Sequence, residues 1–295
     1  MKIIKPTVIT DAKLVSSSIP ENDHPVWSAA TAYAKGDRVI LVSTHSIYQR
    51  LVAGTTAASP DVDPENWQRV GPTNRWAMFD RAVGSLSSAT DTMTVTLEPG
   101  IVRALALVDV AAAEAIVTMT DGAETVYSRT VDMRDESNVI DWESYFFGDF
   151  LVRKTVMTLT DLPPYLNGQV TITLNGTGPV SIGTVAVGSI FNLGVTVHGM
   201  SLGIIDYSVK STDSFGVTAV VERAWAKRMT AQVVLDTTRV DEVHRQLAAT
   251  RATPAVWIGG DRIDQSVIYG FFKDWSIDVA YASKSYCSLT IEGLT

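Results

Sequence analysis

The run Met93-Thr94-Val95-Thr96-Leu97 decides the fold: it alternates apolar with polar residues and opens a series of short β-branched runs. The series continues through Ala104 to Val110, Ala115 to Thr120, Val126 to Val131, Thr155 to Leu159, Val170 to Leu174 and Val180 to Val187. Asp121-Gly122, Asn167-Gly168 and Asn175-Gly176 punctuate these runs, and such pairs accept the positive backbone angles of tight hairpin turns. Short strands at this spacing predict a β-sandwich over residues 73–189. The segment Asp161-Leu162-Pro163-Pro164-Tyr165 suits a corner between its sheets.

Toward the C-terminus, over residues 190–295, the pattern changes. Val195 to Val197, Ile204 to Val209, Val217 to Glu222 and Gln232 to Leu235 read as strands and lead into one helix. Thr238 is placed to cap that helix, Asp241 and Glu242 sit where the helix dipole favours anions, and Val240, Val243 and Leu247 share an apolar face. Thr253-Pro254 ends it, and Ala255 to Ile258, Val267 to Phe272, Trp275 to Tyr281 and Tyr286 to Ile291 resume as strands. The expectation is a barrel or sheet with one helix packed across it.

On the N-terminal side, beyond an arm of residues 1–23, the segment 24–72 carries a regular set of aromatic residues. It reads Trp27, Tyr33-Ala34-Lys35-Gly36-Asp37-Arg38-Val39, Ile47-Tyr48-Gln49, Pro60 and Pro64-Glu65-Asn66-Trp67. Lys35-Gly36-Asp37 reads as a turn opening a strand, and Ser43 to Ser46 as the turn into a second strand. A unit this small, without disulfides or a metal, leans on large aromatic side chains for its core. The leading Trp, Tyr-x-x-Gly-Asp-x-Val, second-strand Tyr, Pro and closing Trp resemble the type 3 chitin-binding domain. That resemblance implies a carbohydrate-binding module with Trp27, Tyr33, Tyr48 and Trp67 as candidate sugar contacts. It departs from the family at Leu51-Val52-Ala53-Gly54-Thr55-Thr56, where an exposed aromatic pair is expected and none stands. The other reading of the same four rings is that they are simply the core of the module.

Composition narrows the function. The chain has 295 residues, 46% of them hydrophobic, as in an ordinary globular protein. Its formal net charge of -8 offers no basic stripe to a phosphate backbone, so sequence-specific nucleic-acid binding is not expected. The single cysteine, Cys287, excludes an intramolecular disulfide and reads as a small buried hydrophobe. His24, His45, His198 and His244 show no ligand spacing, and neither a metal nor another cofactor is expected. Lys2 and Lys5 are followed by Pro6 and a polar stretch, unlike a secretory leader. The apolar window Ile101 to Met119 is broken by Arg103, Asp109 and Glu114, so no membrane span is expected.

Three constellations invite a chemical reading. Gly199-Met200-Ser201-Leu202-Gly203 matches a nucleophile elbow, with Asp206 or Asp213 and then His244 in a fitting order. The elbow needs a helix directly after the serine, whereas Ile204 to Val209 alternates like a strand, so no catalytic residue is assigned. Asp132, Asp135, Glu136, Asp141 and Glu143 could hold a glycosidase pair, but Arg129 and Arg134 among them read as a solvated, self-neutralising loop. Trp142, Tyr145, Phe146, Phe147 and Phe150 are more aromatics than one turn can bury, and together with Val243 and Leu247 they are the candidate interface residues.

The layout as a whole resembles the distal tail and related baseplate proteins of long-tailed bacteriophages. Gly71-Pro72-Thr73-Asn74-Arg75-Trp76-Ala77-Met78-Phe79-Asp80 and the closing Tyr286 to Leu294 carry that resemblance. It implies a mainly β chain: a carbohydrate-module-like unit, a jelly-roll or galectin-like sandwich, and a tail-tube-like β domain with one packed helix. It further implies a structural virion protein, not an enzyme, assembled in the host cytoplasm. Such a protein forms a homo-oligomeric ring, hexamer favoured over trimer, that continues the tail tube. Its partners would be other tail-tip, tube and fibre proteins, with a cell-surface glycan as a further contact. The alternative is a polysaccharide-binding protein, or a non-catalytic part of a glycan-active secreted protein.

Overall fold

The computed structural model describes residues 1–80, 84–134, 142–147, 154–212, 214–260 and 263–294. In chain order, β1 (Lys2–Pro6) and β2 (Leu14–Ser17) precede a three-stranded unit of β3 (Arg38–Leu41), β4 (Ser46–Arg50) and β5 (Trp67–Pro72). Next come β6 (Ser87–Leu97), β7 (Ala104–Val108), β8 (Glu114–Asp121), β9 (Glu124–Asp132), a short helix α1 (Trp142–Phe147), β10 (Val156–Leu159), β11 (Gln169–Ile182) and β12 (Thr184–Asn192). The remainder is β13 (Val195–Thr196), β14 (Ser201–Asp206), β15 (Val209–Thr212), β16 (Thr218–Val221), β17 (Trp225–Asp236), α2 (Val240–Thr250), β18 (Ala255–Ile258), β19 (Val267–Asp278) and β20 (Lys284–Gly293). The chain is mainly β with one packed helix, α2, as the alternating runs predict.

Among the described residues one ten-stranded sheet dominates, ordered β10-β7-β12-β1-β18-β19-β20-β17-β13 with β14 also paired to β17, and it curls as half a barrel. The period-2 alternation of its strands sorts side chains onto two faces. On β12, Val185 and Val187 enter the same core as Leu105 and Leu107 of β7, where a five-stranded sheet, β2-β6-β11-β8-β9, covers this end with Val95, Val117 and Ile172. Farther along the same face, Ile3, Ala231, Trp257, Ile268 and Leu289 are covered by Val243 and Leu247 of α2. The opposite face carries Ile4, Ala104, Ala106, Ala186, Val256 and Tyr269, and its small alanines leave room on the inside of the curl. Gly188 is required at one bend, since a Cβ there would lie 2.0 Å from the Lys5 carbonyl oxygen.

The sandwich over 73–189 therefore shares its second layer with the C-terminal strands. The 189/190 division falls inside β12, and β1 lies at the centre of the large sheet, pairing Ile3 with Phe191 on one side and with Trp257 on the other. The segment 1–23 is no free arm, because β2 also pairs with β6. Asp121-Gly122 makes the expected hairpin, with Gly122 at φ 61. Asn175-Gly176 does not. It forms a bulge within β11, where the Gly178 amide donates to Asp91 Oδ1 at 2.8 Å and the pairing with β6 continues on both sides. Asn167-Gly168 joins strands of different sheets, so the corner at Asp161 to Tyr165 carries the chain from one layer to the other. Thr238 does not cap α2 either: it lies in a 3-10 turn, Thr237–Arg239, and the N-cap residue Arg239 makes no side-chain cap.

Candidate functional site

The small unit formed by β3, β4 and β5 is built as its sequence suggests. Gly36 takes φ 97 in the turn before β3, and the Ala34 amide donates to Asp37 Oδ2 at 2.7 Å. Its core consists of Val39, Leu41, Tyr48 and Trp67, with Trp27 and Tyr33 packed against them. Tyr48 is 6% exposed and Trp67 2%, so neither ring offers a face to a sugar, which corrects their assignment as stacking contacts. Tyr33 meets Trp67 edge-on at 5.1 Å, and its hydroxyl accepts from the Ser28 amide at 2.8 Å. Trp27 and Tyr33 remain half-buried rather than laid out as a platform. Arg50 is an unexpected member of this core. It is 2% exposed, its guanidinium lies 5.0 Å from the Trp67 ring, and Nη1 donates to Thr56 Oγ1 at 3.2 Å while Nε has no partner.

The unit docks through His45, whose ring stacks on Trp76 at 4.0 Å. The two ring nitrogens of His45 reach Asp11 Oδ1 at 3.0 Å and Glu21 Oε1 at 3.1 Å, and Thr73 Oγ1 donates to the same Glu21 oxygen. Glu21, Asp11 and Trp76 lie outside the unit. The joint is thus made of side chains that belong to both parts.

Of the interface residues expected from sequence, Val243 and Leu247 are fully buried under their own sheet. They belong to the core of the chain itself, and the apolar face that suggested a partner is satisfied within it. Trp142, 78% exposed, stacks on Phe146 at 6.1 Å along the exposed side of α1. The side chains of Tyr145 and Phe147, and all of Phe150, lie outside the described residues. So do Asp135, Glu136, Asp141 and Asp213. Asp132 is engaged by Arg134, whose guanidinium and amide hydrogen bonds hold its carboxyl down at about 2. Ser201 opens β14 rather than a helix, and His244 sits exposed on α2 with its ring edge-on to Trp275 at 5.0 Å.

A run of exposed apolar residues lies in a region that sequence reasoning read only as strands. β14 runs along β17 from Thr230 to Trp225, and the chain then continues into the β15–β16 hairpin, which pairs with no other described strand. Leu202, Ile204, Tyr207, Val209, Val217, Val220, Val221 and Trp225 are all exposed along this arm, and Phe215 near its tip is 90% exposed. Polar ties hold its shape: the Ser208 amide donates to Asp206 Oδ1 at 2.9 Å, the Arg223 amide donates to Ser208 Oγ at 3.1 Å, and the Thr212 and Thr218 hydroxyls meet at 3.1 Å. The hydrogen bonds from Ser208 hold the Asp206 carboxyl below its ordinary range. The available sequence signal was the density of apolar residues at both parities of Val217 to Val221, on a strand with no second apolar run to cover it.

The curl also encloses a groove of about 270 Å³ on the concave face. β7 and β17, with five strands between them in the sheet, both line it, through Asp109 just after β7 and Lys227 of β17. Among the described residues no group of three His, Cys, Asp or Glu side chains is arranged to hold a metal. Among the described residues no helix is long and apolar enough to cross a membrane. In comparisons with known proteins, no family model matches the chain and no curated sequence is significantly similar to it.

Proposed function

We propose that this protein is a structural component of a phage tail tip or baseplate, assembling with copies of itself into a closed ring, hexamer favoured over trimer. The observation that carries the reading is the arm. An isolated two-stranded hairpin is marginal in water, and exposed contiguous apolar surface of this kind is characteristic of surfaces that another protein covers. The ten-stranded sheet ends in two open edges among the described strands, β10 at one end and β13 with β14 at the other. An edge is a template for pairing, and joining unlike edges of successive copies is a head-to-tail contact that closes into a ring when the rotation allows. The three-stranded unit would face outward for tube, fibre or host-surface contact. The net charge of -8 would let a central channel pass DNA without holding it.

The test exploits the pairing of Asp206 with Trp225, which stand opposite each other at the base of the arm. Replacing residues 207–224 by Asn-Gly gives a two-residue hairpin that leaves β14 and β17 intact. Light scattering and negative-stain imaging should show a ring for the whole chain and a folded monomer for the shortened one. A whole chain that stays monomeric at high concentration, or a ring that survives loss of the arm, would overturn the proposal.

A further inference from the structure

The concave groove holds an unusual pair of charges. Asp109 and Lys227 both line it, yet neither side chain makes a hydrogen bond or ion pair with another described residue. Burial pushes the Asp109 carboxyl up and the Lys227 ammonium down from their ordinary values; each charge partly offsets that shift in the other, and the Asp264 carboxylate, outside the groove lining, also favours the charged Lys227. Asp109 is built into place. It follows β7 at φ 54, the Gly183 amide donates to its carbonyl oxygen at 3.2 Å, and a Cβ on Gly183 would lie 2.9 Å from the Asp109 Cβ. Trp225 forms part of the wall and is 54% exposed, while Ile268, Tyr269 and Leu294 supply apolar lining. A concave, mainly apolar site with a few convergent polar groups of perturbed acidity is the common form of a small-ligand site.

We infer that this groove binds a single neutral saccharide unit. A ligand with net charge would be attracted by one of the two charged groups that line the groove and repelled by the other. A hydroxyl donates and accepts, so adjacent hydroxyls can donate to the Asp109 carboxylate and accept from the Lys227 ammonium at once. The exposed indole of Trp225 offers an apolar face for the C–H side of the ring, as amphipathic aromatic side chains do. This site is separate from β3, β4 and β5, and it does not depend on the assembly proposed above.

The experiment is titration of the whole protein with methyl glycosides of glucose, galactose and N-acetylglucosamine, against glucuronic acid and glucosamine, followed by calorimetry and saturation-transfer NMR. At least one neutral sugar should bind in preference to its charged counterparts. Trp225→Ala should abolish that binding, and Asp109→Asn and Lys227→Met should each weaken it by about tenfold or more, the loss of roughly one charge-assisted hydrogen bond. Asparagine also tolerates the left-handed backbone at this position, and unchanged thermal melting would show each variant folded. Binding of no neutral sugar, preference for a charged one, or equal binding by folded variants would overturn the inference. Parallel light scattering separates the two readings: a monomer that binds sugar upholds this one and removes the ring, and a ring that binds none does the reverse.

Discussion

Two small β units project from the body of this protein, and they solve the same problem in opposite ways. The three-stranded unit of β3, β4 and β5 closes its sheet over Tyr48, Trp67, Val39 and Leu41 and docks through His45 and Glu21. The arm of β15 and β16 has comparable strands, yet every residue of both is exposed. Both follow the same local rules, with a Gly at positive φ in the turn beside the strand, Gly36 in one and Gly216 in the other. The difference lies in what backs the strands. Aromatic side chains supply the first unit with a core of its own, whereas the strand residues of the second stay exposed.

The contrast is open to a direct break. Trp67→Ala should remove the core of the three-stranded unit at a cost of about 3–5 kcal/mol. Hydrogen exchange should then show rapid exchange at β3, β4 and β5 with the large sheet still protected, and an unchanged protection pattern would mean the unit is held by its docking contacts instead. A smaller effect of opposite sign is expected at Arg50, a buried guanidinium with no carboxylate partner among the described residues. Arg50→Met keeps the contact with Trp67 and removes a charge from a dry site, and it should raise stability by about 1 kcal/mol in denaturant unfolding. A loss would show that the cation over the Trp67 ring outweighs its desolvation. The smallest effect belongs to the arm: Phe215→Ser should change the stability of the single chain by less than about 0.5 kcal/mol while weakening, in sedimentation, the self-association proposed above. A destabilised monomer would mean the arm already folds back on its own subunit.

Much of the body was legible in the sequence. Period-2 runs such as Met93 to Leu97 became strands, the face Val243 and Leu247 lay on the helix, and Cys287 is fully buried, where burial raises its thiol to about 11. Three features were not. The apolar and β-branched residues that identify Ile204 and Val217 to Val221 as strands say nothing about whether a partner covers them. The bulge at Asn175 to Pro179 uses the residue types of a turn, and only the continued pairing with β6 distinguishes the two. The groove unites Asp109, Lys227 and Tyr269, which are far apart in the chain and meet only because the sheet curls. The aromatic pattern of residues 24–72 did not tell core from contact, because a buried tryptophan and a sugar platform have the same letters.

The place of β1 at the middle of the large sheet governs how the molecule comes into being. Its Ile3 must wait for Phe191 and then for Trp257 before either side of the strand is paired. During synthesis the strand that joins the sandwich end to the helix-covered end therefore emerges early and is completed late. Such long-range pairing makes for slow folding and leaves open strand edges exposed in the meantime. The three-stranded unit, complete by Pro72, can settle while the rest is still being made. The three-stranded unit is thus complete first, and the large sheet becomes whole only after the strands near the C-terminus have arrived.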